Sequence, residues 1–193
     1  MLTLVLGLFL FLGIHSTRIF ADDWRAQAIG KIGPLPWKGM YSVLSLLGFA
    51  LLVWGFRMAR QDTLVLWLSP PWMKHVTAVL MMVSFILLAA AYAPRNSIKA
   101  RLHHPMVLAV KTWAFGHLLS NGVAADVLLF GSFLLWAVLS FRAARQRDRA
   151  NGTVYPPGNA IGTSITIAVG LLGWSVFALF LHGPLIGVRP LGY

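Results

Sequence analysis

The apolar positions of this chain neither alternate nor mark one helical stripe. They run on for about the length of a bilayer crossing, stop at basic or proline-rich punctuation, and start again. A helix needs roughly 20 mostly apolar residues to span a membrane, and a helix apolar on all sides belongs in lipid or a deep core. Residues 2–20 (LTLVLGLFLFLGIHSTRIF) are the first such run. No basic residue precedes it and no small-residue cleavage site comes before Asp22-Asp23-Trp24, so it reads as a retained helix, not a signal peptide. Further spans are expected from about Met40 to Phe56, His75 to Tyr92, His103 to Asn121, Val123 to Phe141 and Ile161 to Leu181.

The connections follow from composition. Glycines and prolines in GKIGPLPWKG oppose a helix, so residues 22–39 read as a loop. TLVLWLSPPW (63–72) is too short to cross and suits the membrane interface. RNSIKARL (95–102) is a basic connector, and RAARQRDRANG a basic tail leading to the turn-rich TVYPPGN. The final HGPLIGVRPLGY is expected to lack regular helix across its Gly-Pro and Arg-Pro steps. Ser120-Asn121-Gly122 is a tight turn by composition. The expected fold is therefore a single all-α domain over residues 1–193. It is a polytopic integral membrane protein of about six transmembrane helices, in which spans four and five form a helical hairpin.

Charge narrows the environment. Only 11% of residues are charged and 58% are hydrophobic, against about 25% charged in soluble domains. A net charge of +11 invites a nucleic-acid reading. The basic residues lie between apolar runs, however, which fits loops that set topology and touch anionic lipid. Arg25, Lys31, Lys38, Arg95, Lys99, Arg101, Arg142, Arg145, Arg147 and Arg149 fall on one side of a six-span layout. The other side holds only Arg57, Arg60, Lys74 and Arg189. The positive-inside rule then places both termini and the hairpin tip in the periplasm of a bacterial inner-membrane protein. The absence of cysteine excludes disulfides, thiolate nucleophiles, iron–sulfur clusters and covalent c-type haem. The absence of glutamate leaves five aspartates for any acid–base work.

Polar groups inside the spans are the candidate chemistry, because in hydrocarbon they must be paired or face a protein interior. His75 and His182 lie near helix ends and read as interfacial. His15 and His117 lie within spans, where imidazole suits axial ligation of a b-type haem or proton relay. His104, followed by Pro105 in a first helical turn, reads as an anchor and shares a helix face with Lys111. His117 is turned well over 90° from His104, with Trp113 one turn away on its own side. Lys111, near mid-span, either snorkels or pairs with an anion such as a haem propionate. Asp126 is placed at about the depth of His117, either as an orienting carboxylate for it or as a hydrated interfacial group.

Several segments carry a family resemblance: HSTRIF, YSVLSL, LWLSPPWMKHV, HHPMVLAVKTWAFGHLLSNG and DVLLFGSFLLWAVLSFRAARQRDR. Over most of its length the chain resembles the NnrU family of membrane proteins, named for association with denitrification genes. That family is similar to the plastid 15-cis-zeta-carotene isomerase, an integral membrane b-haem enzyme. The resemblance implies a haem b ligated by His15 and His117, with His104 as a third important histidine. It implies redox or isomerase-type activity on a lipophilic, polyene-like molecule or a small gas. The alternative is a non-catalytic electron-transfer or assembly factor for respiratory and denitrification enzymes. A more distant similarity to isoprenylcysteine-type membrane methyltransferases fares worse, since those follow the basic helix exit with a Glu-Glu pair and this chain has no glutamate. By simple depth counting His15 and His117 differ by roughly 15 Å. His15 with His104, and His117 with His75 or His182, therefore stand as alternative pairs.

Overall fold

The computed structural model describes residues 1–61 and 64–190. Its helices are α1 (Leu2–Phe20), α2 (Asp22–Ile32), α3 (Pro34–Ala59), α4 (Met73–Tyr92), α5 (Ser97–Leu102), α6 (Pro105–Ser120), α7 (Ala124–Ala150), α8 (Ala160–Val176) and α9 (His182–Ile186). A wide π-type turn, Phe177–Leu181, joins the last two into one continuous rod. Five rods are long and apolar enough to cross a bilayer: α1, α3, α4, α7 and the α8–α9 rod. The sixth member of the bundle, α6, has 16 residues and is about 24 Å long, which is short of a full crossing. The protein is an all-α polytopic membrane protein.

Each helix packs on its neighbours in the order α3, α1, α7, α6, α4, α8. Glycine sets the closest approaches. An added Cβ at Gly7 would come within 2.5 Å of Leu52 N, and one at Gly48 within 2.8 Å of Phe11 N, so α1 and α3 run antiparallel with backbones nearly touching. Gly170 does the same for α8 against Ile86 of α4. Where lipid removes the hydrophobic drive between helices, such small residues let van der Waals contact replace it. α4 holds α6 by hydroxyls instead. Thr77 Oγ1 donates to Gly116 O at 2.8 Å and Ser84 Oγ to Ala109 O at 2.9 Å. Polar side chains satisfied by a neighbouring backbone are a favoured form of helix glue in lipid.

The buried core lies towards one end of the bundle. Leu4, Leu8, Leu52, Ala59, Ala114, Ala125, Leu129 and Phe130 form a single cluster among α1, α3, α6 and α7. At this end the segment before α4 closes over the α6–α7 turn: Leu66 N donates to Gly122 O at 2.8 Å, and Val65 pairs with Val123. Arg60 of α3 donates to Ile186 O here too, so the described ends of the chain lie on this side. This is the tip end. The opposite, basic end collects α2, α5 and the last turns of α7.

Three stretches depart from expectation. Residues 22–39 are mostly helix, broken only at Gly33 with φ 87°, because Pro34 and Pro36 fall in the first turn of α3, where a missing N–H costs nothing. Helix α7 continues through the basic tail to Ala150 rather than ending near Phe141, since Arg, Gln and Ala are strong helix formers in water. The Gly183-Pro184 step is helical as well. Proline clashes with the carbonyl four residues earlier in an α-helix, and the π-type turn at Phe177–Leu181 relaxes that register.

Candidate functional site

At the basic end the row of helices opens into a cavity of about 800 Å³, within the usual range for small-molecule sites. Its walls come from the end of α1, from α2 over the top, and from the starts of α3 and α6 and the second half of α7. His15 and His104 both line it, together with Trp37, Tyr41 and Trp136.

His15 has one ring nitrogen engaged and the other free. Its Nδ1 donates to Phe11 O at 2.6 Å. A carbonyl only accepts, so Nδ1 carries the hydrogen and Nε2 keeps its lone pair. That is how proteins fix the tautomer of a metal-binding imidazole. Aromatic rings hold the imidazole on three sides: Phe11 at 4.3 Å, Tyr41 at 5.2 Å and Trp136 at 6.3 Å between centroids.

His104 is held differently. It caps the start of α6, and its Nε2 donates to Asp148 Oδ2 at 2.9 Å. This leaves Nδ1 as its open nitrogen. Asp148 gathers more than His104. Tyr155 OH donates to the same oxygen at 3.1 Å, and His103 Nδ1 and Arg145 Nη1 stand 3.6 Å and 3.9 Å away. Burial, and then the hydrogen bond to this carboxylate, push the Tyr155 hydroxyl above its ordinary pKa. His103 takes φ 67°, a strained setting for a residue with a Cβ, and its ring lies tilted against that of Tyr155, 4.1 Å between centroids. The node pins the α5–α6 turn to the exit of α7.

His117 lies elsewhere, in the packed half. Its ring stacks on Phe130 at 4.6 Å and meets Trp113 edge-on at 5.6 Å. Its Nδ1 accepts from Asn121 Nδ2 at 3.3 Å, which places the ring hydrogen on Nε2. Helices α1 and α7 run parallel, and His15 lies level with Trp136 while His117 lies level with Phe130. Six residues of helix separate those levels, or about 9 Å. The structure thus brings His15 and His104 to one cavity and keeps His117 apart.

Asp126 is buried, 8% exposed, and among the described residues it makes no hydrogen bond or ion pair. Asn121, not Asp126, is the partner of His117. Arg60 acts on the Asp126 charge from the interface. Lys111 is exposed on α6, one turn beyond Val107 of the cavity wall, with no hydrogen bond or ion pair among the described residues. His75 is exposed, and His182 donates from Nδ1 to Val188 O at 2.6 Å; both suit interfacial residues. Among the described residues no three His or Asp side chains converge as a metal cage. Sequence patterns alone miss Asp148, Tyr155, Trp136 and the arginines of the cavity. Asp148 is the one visible signal, a lone acid in an otherwise basic tail.

The fold and cavity define a helical membrane protein with a histidine-lined, basic-rimmed pocket at one interface. The sequence model for the family described as NnrU protein matches residues 3–190, and the chain belongs to that family. No curated protein matches it. No solved structure matches it either.

Proposed function

We propose that the cavity at the basic end would hold a b-type haem, with His15 and His104 as the residues that would hold its iron. The observation that carries the reading is the His15 Nδ1–Phe11 O hydrogen bond, which leaves Nε2 free in an aromatic cavity of suitable volume. The residues present fit the group. Aromatic rings of Trp37, Tyr41 and Trp136 line the walls beside the hydroxyls of Ser42 and Ser140, the rim is cationic, and the donor set has no competing thiolate. When bound, the iron supplies a redox centre able to take a small gas such as nitric oxide or to act on a polyene. The protein's own role is to hold His15 in one tautomer and to restrain His104 through Asp148. On this reading the protein serves as a membrane haem protein of redox or isomerase type, linked to denitrification.

The basic end is assigned to the cytoplasm of a bacterial inner membrane, with both termini periplasmic. A C-terminal fusion to a reporter active only in the cytoplasm is expected to be silent.

Absorption spectra of the purified protein, with and without dithionite, test the haem assignment. A Soret band lost in His15→Ala, shifted in His104→Ala and unchanged in His117→Ala is the expected result. The absence of any Soret band after haem supplementation removes the reading. Loss of the band in His117→Ala with retention in His15→Ala restores the His117 site and overturns the cavity.

A further inference from the structure

The cavity that holds His15 carries more positive charge than its own protein neutralises. Arg18, Arg25, Lys38 and Arg147 all line it, and the one carboxylate in the wall is Asp148. That carboxylate is already occupied by His104 and Tyr155. Arg147 is within electrostatic range of Arg18 and Arg25 and also of the carboxylates Asp22 and Asp148, and it donates to Arg18 O at 2.8 Å, so four cations are held together against two acids. Arg25 has only Asp22 of its own helix, at 3.5 Å. Like charges gathered at the mouth of a low-dielectric cleft repel one another and attract an anion with focused field.

Below this rim the walls turn apolar: buried Trp37 and half-buried Tyr41 and Trp136. A single donor is left over among these apolar walls. Trp136 Nε1 is buried and has no hydrogen-bond partner among the described residues. A buried indole N–H usually finds an acceptor, so a ligand atom is its natural complement. Two independent features, a rim whose four cations outnumber its two carboxylates and an orphaned donor beneath it, therefore ask for one kind of molecule.

We propose that this cavity recognises an anionic amphiphile. Its carboxylate or phosphate head sits on Arg18, Arg25, Lys38 and Arg147, and its rigid apolar body lies against Trp37, Tyr41 and Trp136, with Trp136 Nε1 donating to an acceptor on that body. The inference rests on the cavity being the ligand site assigned above, but it needs no iron. Guanidinium groups bind carboxylate and phosphate alike, so either a carboxylate-bearing cofactor or a phosphate-headed lipid meets the chemistry.

The test uses the full chain in a neutral maltoside detergent, with protoporphyrin IX as probe: metal-free, flat, and carrying two carboxylates. Quenching of tryptophan fluorescence reads its affinity against that of its dimethyl ester. The acid is expected to bind about tenfold more tightly than the ester. The double variant Arg25→Ala/Lys38→Ala, which leaves the Arg147–Arg18 O hydrogen bond in place, is expected to lose that preference. Trp136→Phe is expected to weaken both probes about equally. Displacement of the acid by dodecyl phosphate assigns the rim to phosphate heads as well; no displacement confines it to carboxylates. Equal affinity for acid and ester, or a preference that survives Arg25→Ala/Lys38→Ala, overturns the proposal. Because the probe lacks iron, a failed His15 assignment leaves this result standing. A failed rim likewise leaves the His15 spectrum intact.

Discussion

The two ends of the bundle solve the problem of polar groups in a membrane in opposite ways. At the tip end His117 is half-buried beside the core, against Phe130 and Trp113, and Asp126 is buried with no hydrogen bond among the described residues. At the basic end His15 and His104 border open volume, and each has one nitrogen fixed by a partner and one left free. Both ends hold histidine at helix-internal positions, so residue type does not distinguish them. Which nitrogen is engaged does: at His117 the unengaged nitrogen carries the ring hydrogen, whereas at His15 it is the unprotonated Nε2, and His15 also borders the cavity.

The largest test of that contrast is to add volume at each end. Ala125 is wholly buried in the tip core, while Ala144 lines the cavity. Ala125→Leu has nowhere to place three extra carbons and should cost about 3 kcal/mol, the upper end of the range for overpacking. Ala144→Leu should be tolerated within about 1 kcal/mol and should shrink the cavity. Thermal unfolding in detergent measures both. Equal losses would mean that the basic end is as full as the tip.

The carboxylates give the next largest difference. Asp148 serves His104 and Tyr155, so Asp148→Ala strips partners from several half-buried groups and should lower the melting temperature by about 5 °C. Asp126 bonds to nothing described, and a buried polar group without a partner is a cost. Asp126→Asn should therefore leave the melting temperature unchanged or raise it. If Asp126→Asn destabilises as much as Asp148→Ala, the tip end contains an interaction that the static contacts do not explain.

Why the sequence makes one end legible and the other not can be seen from these residues. The spans, the hairpin and the segregation of basic loops follow from runs of apolar residues, whose signal is local. The glycines of α1 and α3 meet across the bundle, and no local pattern says that Gly48 faces Phe11. The histidines are visible as chemistry, but their grouping depends on helix order. With α1 beside α7 and parallel to it, His15 is level with Trp136, not with His117. Counting depth along a flat six-span layout overstates their separation, about 9 Å in the bundle against 15 Å. It nevertheless pairs His15 with His104, which borders the same cavity from about one and a half turns further along α7, beside Phe141. Asp148 stays hidden because a basic tail reads as leaving the protein, whereas α7 brings it back over His104.

Tyr155 offers a smaller, pH-dependent test. Its folded-state pKa lies above the ordinary 10.0 because burial and the Asp148 hydrogen bond oppose ionisation. A raised pKa means the neutral hydroxyl is favoured by folding. Its contribution is complete below about pH 10 and is lost as pH climbs through the folded-state value. Hydrogen exchange at residues 103–107 should therefore accelerate above pH 10 before exchange at 117–124 does. Tyr155→Phe should abolish this alkaline step while leaving the tip end unaffected. Simultaneous loosening of both ends would show that the node is not an independent unit.

The smallest expected effect concerns Lys111, which lies between the two ends and belongs by contact to neither. It stands on the helix stripe of His104 and Val107, one turn further into the membrane, exposed and with no hydrogen bond or ion pair among the described residues. A central cation in lipid costs about 3 kcal/mol on insertion scales, and snorkelling recovers much of this. From Lys111 the nearer interface is the basic one, seven residues or about 10 Å away along α6. Its flexible stem can direct the ammonium that way and add a fifth positive charge just outside the cavity. Lys111→Leu should then change the melting temperature by less than about 1 kcal/mol equivalent and weaken anionic probes at the cavity by about twofold. The absorption and fluorescence of groups around His117 should stay as they were. A larger loss at the tip end would mean that Lys111 leans towards Asp126 instead, and that the buried carboxylate there has its counter-ion after all.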